Sequence, residues 1–209
     1  KRAAVLIITA DRGMAGAYSN AAIKEGDQLI ALLQSRGLEV NPYLVGRKGI
    51  NFYKFRNRKI SASWSGFSDN PTYAHAREVS DALIAELKAA EVLVIGVPTY
   101  NFSVPAMLRS WADHVARAGV TFKYTDTGAV GLAGSKKVYL VIASGGIHEE
   151  GGTDHVRPWL RTFLGFLGMN DLEFIVAGGL NMGESARAQG LQNARTKIAA
   201  LLTAAAQEN

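Results

Sequence analysis

Six short apolar runs that alternate with helical patterns constrain the fold of this chain more than any other feature. Each run has the length of a buried strand, and the segments between them repeat their apolar residues at helical spacing. This alternation predicts a mostly parallel sheet with helices on both faces, a doubly wound α/β three-layer sandwich. The predicted strands are residues 4–9, 41–45, 60–64, 92–97, 137–143 and 173–177. The predicted helices are residues 19–35, 48–55, 72–88, 105–118, 154–167 and 183–205.

The length and composition are those of an ordinary globular protein. With 209 residues, the chain can bury one large core, and we expect a single α/β domain over residues 1–209. Hydrophobic residues make up 48% of the sequence, and no apolar run reaches the length of a membrane span. We expect no signal peptide before the first strand. The absence of cysteine excludes disulfides and thiolate chemistry. We therefore expect a cytoplasmic protein without a membrane partner.

The formal net charge of +5 is modest, and its densest source is one cluster of cations with aromatics between them. Basic and aromatic residues together are one signal of nucleic-acid binding. The alternative is a surface helix whose aromatics pack inward while its cations stay solvated. We favour the helix and expect no nucleic-acid partner. The cations are Arg47, Lys48, Lys54, Arg56, Arg58 and Lys59.

The segment 97–105 follows an apolar run and precedes a helical pattern, which places it at the carboxyl end of a buried parallel strand. Open α/β sheets bind their ligands at that edge. Tyr100 and Phe102 offer flat apolar faces, and Asn101 offers an amide. A flat heterocycle with a polar edge, such as a flavin ring, needs this mixture. The alternative is a loop that packs only on itself.

A second loop of the same kind follows the predicted strand 137–143. Its glycines, Gly145 and Gly146, allow the backbone to approach a ligand closely, and their amides can bond a polar ring edge. A tight turn without a ligand is the alternative. His148 ends this loop, and a lone histidine there is more often a surface or hydrogen-bonding residue than a catalytic one.

From about residue 80 to the end, the chain closely resembles FMN-dependent NADH azoreductases of the flavodoxin-like quinone-reductase group. The strings that carry the resemblance are residues 80–87, 100–105, 117–125, 145–148, 161–168 and 171–174. The resemblance implies a bound FMN, NADH as electron donor, and a quinone or azo compound as substrate. The resemblance also implies a homodimer with sites at the interface. A monomer is the alternative, because the first part of the chain differs.

Residues 1–79 instead resemble the α/β domain of the ATP synthase gamma subunit, in the strings 9–20, 43–49 and 64–73. We therefore interpret the chain as a chimera whose crossover lies in the helix over residues 73–89. The azoreductase pattern implies the flavodoxin strand order 2-1-3-4-5, and the extra strand 60–64 should lie beside the second. The expected order is then 3-2-1-4-5-6, with a ligand crevice between the carboxyl ends of strands 1 and 4.

The resemblance also implies which residues bind, and it implies no catalytic side chain and no metal. Thr99 and Ser144 stand where relatives usually carry methionine and arginine, which should alter the contacts of the ring. Asp11 opposes a phosphate in the first loop, which should weaken FMN. Cofactor contacts are expected from Thr9, Ser19, Thr99, Tyr100, Asn101, Phe102, Ala143, Ser144, Gly145 and Gly146.

Substrate contacts are expected from Phe122, Tyr124 and His148. Phe122 and Tyr124 lie in the segment 117–136, which is rich in glycine and threonine and predicts a long loop over the substrate. In the alternative interpretation, both rings anchor that loop to the body of the protein.

For the whole chain, the leading hypothesis is a flavin oxidoreductase. A folded scaffold without flavin and a rotor-type interaction module are the alternatives.

Overall fold

The computed structural model describes residues 2–9, 18–45, 62–63 and 73–207. The strands are β1 (Arg2–Ile8), β2 (Glu39–Val45), β3 (Ala62–Ser63), β4 (Val92–Pro98), β5 (Phe122–Thr125), β6 (Gly128–Gly131), β7 (Lys137–Ala143) and β8 (Asp171–Ala177). The helices are α1 (Tyr18–Ser35), α2 (Tyr73–Ala89), α3 (Ala106–Val115), α4 (Val156–Phe166) and α5 (Glu184–Gln207).

Six strands form one sheet in the order β3-β2-β1-β4-β7-β8, and all its pairs are parallel. The predicted α/β fold is confirmed. The labels differ from the predicted 3-2-1-4-5-6 only because β5 and β6, which the sequence did not predict, are counted between β4 and β7. The strand order reverses between β1 and β4, and this is where such sheets open a ligand crevice.

Alternation along the strands divides the core between the two faces of the sheet. One face packs against α2, α3 and α4, the other packs against α1, and β8 packs against α5 on that second side. Successive side chains of a strand point to opposite faces of the sheet, so a strand that is covered on both faces must be apolar throughout. In β1, Ala4, Leu6 and Ile8 point to the first face, and Ala3, Val5 and Ile7 point to the second.

The largest differences from the sequence predictions lie at the end of α3 and in the segment after it. Helix α3 ends at Val115 rather than at residue 118, because the Thr121 side chain takes over the hydrogen bonds of the next turn. Its Oγ1 donates to the Val115 carbonyl at 2.6 Å and accepts from the Arg117 amide at 2.8 Å. The segment 117–136 is also no simple loop, because β5 and β6 pair in it as an antiparallel hairpin.

Some predictions fall outside the described residues, namely the helix 48–55 and the cation cluster from Arg47 to Lys59. Within the part of the chain that the structure describes, no helix has both the length and the hydropathy of a transmembrane span.

Candidate functional site

Two loops meet at the carboxyl edge of the sheet, one after β4 and one after β7. These strands are neighbours, and their pairing continues to Pro98 opposite Ala143. The Thr99 amide then donates to the Ala143 carbonyl at 2.8 Å, so the first residues of both loops remain joined. The structure therefore brings together the two loops that were predicted from the sequence to contact a flavin ring.

The loop after β4 is a tight turn with an unusual backbone. Tyr100 and Ser103 exchange both of their backbone hydrogen bonds, each at 3.0 Å. The two residues between them have positive φ angles, 49° for Asn101 and 62° for Phe102. Asparagine tolerates this region, whereas for a bulky residue such as Phe102 it costs about 1–2 kcal/mol, and such strain is concentrated at functional sites. The turn leaves the side chain of Phe102 54% exposed.

The loop after β7 is held by the loop after β8. Carbonyls of the first loop accept amides of the second: Ser144 from Leu180 at 3.1 Å, and Gly145 from Asn181 at 3.0 Å. The Gly146 carbonyl accepts the Gly179 amide at 2.9 Å.

The same loop leaves backbone donors available. Its carbonyls already accept the amides of the loop after β8, and the Ser144 hydroxyl also donates to the Gly146 carbonyl at 2.7 Å. Among the described residues, the amides of Gly145, Gly146 and Ile147 donate to no acceptor. A partly exposed row of free amides next to two aromatic side chains is suited to a flat ligand with acceptor atoms along one edge.

His148 faces the other loop and is bound at both its ring and its backbone. Its ring lies edge-on to Phe102, with centroids 5.6 Å apart. Its Nδ1 is 2.9 Å from the Thr153 hydroxyl, and its carbonyl accepts from Arg157 Nη2 at 3.1 Å. His148 thus lies at the rim between the two loops.

Asp154 organises the start of α4 behind His148. Its Oδ1 accepts the amides of Val156 at 2.9 Å and of Arg157 at 3.1 Å, and its Oδ2 pairs with Arg157 Nε. Burial alone would raise the pKa of this carboxyl, but the hydrogen bonds and the charge of Arg157 outweigh burial and hold the pKa below its usual range.

The lowered pKa of Asp154 predicts an acid-dependent loss of stability. A depressed folded-state pKa gives stability that is complete above the unfolded pKa and is lost as pH falls through the folded pKa. We expect Asp154→Asn to cost about 1–2 kcal/mol near pH 7, since the capping oxygen remains but the charge is lost. The difference from wild type should shrink as the pH falls through the lowered folded-state pKa. Urea unfolding from pH 7 to 2 measures it, with Glu150→Gln as the exposed control; a constant difference would contradict the assignment.

Thr9 and Ser19 lie near the carboxyl end of β1, on the phosphate side of the predicted site. Both side chains are buried, and both have interaction partners. Residues 10–17, which include Asp11, lie outside the described residues. The phosphate half of the predicted site therefore stays a prediction.

Phe122 and Tyr124 lie on the hairpin, apart from the two loops. The Phe122 ring is 4.4 Å from the Phe166 ring at the end of α4, and Ala133 donates to the Leu167 carbonyl at 3.1 Å. Because α4 returns to the start of β8, these contacts place the hairpin base at the amino edge of the sheet. The contact of Phe122 with Phe166 is the one expected if the Phe122 ring anchors the hairpin to the body of the protein. Tyr124 is 74% exposed.

Several residues of this site were not predicted from the sequence. Thr153 and Arg157 follow His148 by five and nine residues, and Asn181 lies after β8, but nothing in their local sequence pattern indicates a site. The apolar helix start at Val156, preceded by an aspartate, was the available signal for the capping role of Asp154.

These features define a class: parallel α/β proteins with a ligand site at the carboxyl edge, next to the reversal of strand order. The chain belongs to the family described as having a flavodoxin-like fold, whose match covers residues 42–202. This match includes residues 42–79, so part of the segment attributed to the rotor subunit falls inside the family.

The chain is also similar to named proteins. It is 57% identical over 124 residues to a protein of Saccharophagus degradans named FMN-dependent NADH:quinone oxidoreductase, covering 59% of each chain. A protein of the same name from Vibrio parahaemolyticus is 52% identical over 124 residues, or 59% of this chain and 64% of the relative. The matched region thus spans about three-fifths of the length of these curated relatives.

Solved structures extend the likeness to nearly the whole chain. A Bacillus anthracis Sterne azoreductase has a TM-score of 0.67 at 25% identity, covering 94% of this chain and 99% of its own. An FMN-dependent NADH-azoreductase of Bacillus anthracis Ames Ancestor, in complex with FMN, has a TM-score of 0.69 over 98% and 100% of the two chains. At 19% identity, this second likeness concerns the fold alone.

Proposed function

We propose that this protein is an FMN-dependent oxidoreductase that uses NADH to reduce quinones or azo compounds. The observation that carries the proposal is the juxtaposition of the free Gly145 and Gly146 amides with the Tyr100–Ser103 turn. The relatives named FMN-dependent NADH:quinone oxidoreductase, at 57% and 52% identity, support it.

The residues on the ring side fit a flavin. Free amides of Gly145 and Gly146 supply donors to the acceptor atoms of the pyrimidine edge, and Thr99, Asn101 and Ala143 complete the walls of the crevice. A side chain at position 145 would place its Cβ 3.0 Å from Asn181 Nδ2, so glycine keeps the loop in its present position. Burial raises the pKa of the Tyr100 phenol, which keeps that side chain neutral beside the site.

Bound FMN would supply the hydride chemistry that connects NADH with the acceptor. The chain itself orients and shields: Phe102 and His148 form one wall, against which a planar acceptor can stack. In this proposal no side chain acts as a covalent nucleophile. Thr9 and Ser19 are proposed to contribute to the phosphate side.

Flavin binding tests the proposal directly. We expect purified protein titrated with FMN to quench flavin fluorescence with a dissociation constant below about 10 µM, about −7 kcal/mol. The loaded protein should then oxidise NADH only when a quinone such as menadione is present. Riboflavin, which lacks the phosphate, is the matched control. The difference between its affinity and that of FMN measures the contribution of the phosphate side. Absence of binding at high micromolar FMN would contradict the proposal and favour a scaffold without flavin.

The contribution of Phe122 and Tyr124 depends on oligomeric state. Because the hairpin base lies at the amino edge, we propose that these rings reach a substrate only from a second copy of the chain. Light scattering of the purified protein distinguishes the proposed homodimer from a monomer, and in a monomer the rings would act only as anchors.

We also propose, from the sequence strings alone, that residues 1–79 derive from an α/β domain like that of the ATP synthase gamma subunit. The chain would still be one domain over residues 1–209. A single unfolding transition, seen by probes placed in both segments, is expected; two separate transitions would contradict a single domain.

A further inference from the structure

The β4 loop does not hold the Phe102 side chain by itself. The Tyr100–Ser103 bonds fix the backbone of the turn, but more than half of the Phe102 side chain is exposed. Among the described residues, the only aromatic ring in contact with Phe102 is that of His148. The His148 ring is therefore the aromatic contact against which the Phe102 ring is placed.

His148, in turn, is held from the start of α4. Arg157 binds its carbonyl through Nη2 at 3.1 Å, and Thr153 binds its ring Nδ1 at 2.9 Å. Two attachments, one on the backbone and one on the ring, fix both the place and the rotation of a side chain. Neither Arg157 nor Thr153 has a described contact with the residues of the β4 loop.

Arg157 is itself immobilised. Its Nε pairs with Asp154, which also accepts its backbone amide, and its Nη1 is 3.5 Å from Glu150. A guanidinium fixed on two sides presents its remaining N–H in a single direction, which a flexible ammonium does not. The bond to the His148 carbonyl is therefore made with little entropic cost.

We infer that Arg157 and Thr153 are positioning residues that set the acceptor wall through His148 and Phe102. This inference rests on the proposed function. Loss of either residue should weaken binding of the quinone or azo acceptor, while flavin affinity, which depends on the glycine amides, is retained. A binding group keeps its productive geometry only when the residues behind it hold its rotamer.

Steady-state kinetics of Arg157→Met and Arg161→Met test the inference. Arg161 lies one turn further along α4 and pairs with the same Glu150 at 2.7 Å, but it has no contact with His148. We expect Arg157→Met to raise the KM for menadione about fivefold, with kcat and FMN affinity within about twofold. Arg161→Met should leave all three within about twofold. Equal effects of the two variants would overturn the inference.

A double-mutant cycle separates action through His148 from a general loosening of the fold. If Arg157 acts through His148, Arg157→Met should add no further rise in KM to His148→Ala. The same rise in both backgrounds would overturn the inference.

Thr153→Val provides a readout that needs neither flavin nor activity, and its exposed position makes it a mild change. In the unloaded protein, nitrogen NMR of the His148 ring should show a shifted Nδ1 signal in Thr153→Val and an unchanged one in Arg161→Met. The proton contacts between the His148 and Phe102 rings should weaken in Arg157→Met. Unchanged contacts and an unchanged Nδ1 signal would overturn the inference, whereas absence of FMN binding alone would overturn only the proposed function.

Discussion

Replacement of Lys136 by methionine is expected to lower the free energy of unfolding by about 3 kcal/mol. Lys136 precedes β7 and is only 6% exposed. Its Nζ donates to the carbonyls of Leu87 and Ala90, at 2.8 and 2.9 Å. These carbonyls lie at the carboxyl end of α2, where the last turn has no amide partners of its own.

Two effects oppose each other at Lys136. Burial lowers the pKa of its ammonium, which is the penalty for removing the charge from water. Against this, each hydrogen bond from a charged donor contributes about 1.5–3 kcal/mol, and the negative end of a helix dipole adds further attraction. Methionine would remove the penalty but leave two buried carbonyls without donors, so we expect a net loss.

Lys137 provides the matched control, because it is the next residue and also a lysine. Its Nζ is 2.7 Å from Asp171, but the pair lies at the surface, where such pairs contribute about 0–1 kcal/mol. Urea unfolding of Lys136→Met and Lys137→Met should therefore differ by about 2 kcal/mol or more. If the two variants unfold at the same urea concentration, the capping role of Lys136 is wrong.

The strands and helices were predictable because each carries its own periodic signal. All six predicted strands exist, and in β1 the apolar run that supplies both core faces covers six consecutive buried residues, from Ala3 to Ile8. The short hairpin was missed because four-residue strands with glycines at Gly128 and Gly131 have no clear period. Lys136 was missed for another reason: its two acceptors are 46 and 49 residues away in the chain.

The candidate site likewise has a part that could be predicted from the sequence and a part that could not. Tyr100, Phe102 and the paired glycines could be selected because strand ends can be located from the sequence, and parallel strands bring their carboxyl ends to one edge. The positive φ angles of Asn101 and Phe102 occur in a turn without glycine that Tyr100 and Ser103 close. The attachment of His148 to Arg157 joins the loop after β7 to the first turn of α4. Neither has a local sequence signature.

The segments before and after residue 80 contribute strands to one hydrogen-bonded sheet. Strand β1 pairs with β2 on one side and with β4 on the other, in register from Ala3 opposite Val92 to Leu6 opposite Ile95. A parallel ladder is made by the backbone, while the side chains of a strand covered on both faces need only be apolar. The core of each face therefore contains residues from both segments.

Substitution of Gly190 by alanine is expected to destabilise the protein by about 3 kcal/mol, although alanine is the better helix former by about 1 kcal/mol. Gly190 lies in α5, where a Cβ would stand 2.0 Å from the Gly178 carbonyl oxygen. That oxygen belongs to the backbone directly after β8 and cannot rotate away as a side chain can. Either α5 or the segment after β8 must move.

The displaced segment is the one that holds the glycine loop, since Gly179, Leu180 and Asn181 donate to its carbonyls. We therefore expect Gly190→Ala to lower the midpoint of thermal unfolding by about 6–12 °C and also to weaken FMN binding. Thr196→Ala, on the exposed side of the same helix, gains similar helix propensity without the clash and should be neutral or slightly stabilising. An increase in stability for both variants would show that the close approach of α5 to Gly178 does not constrain the fold.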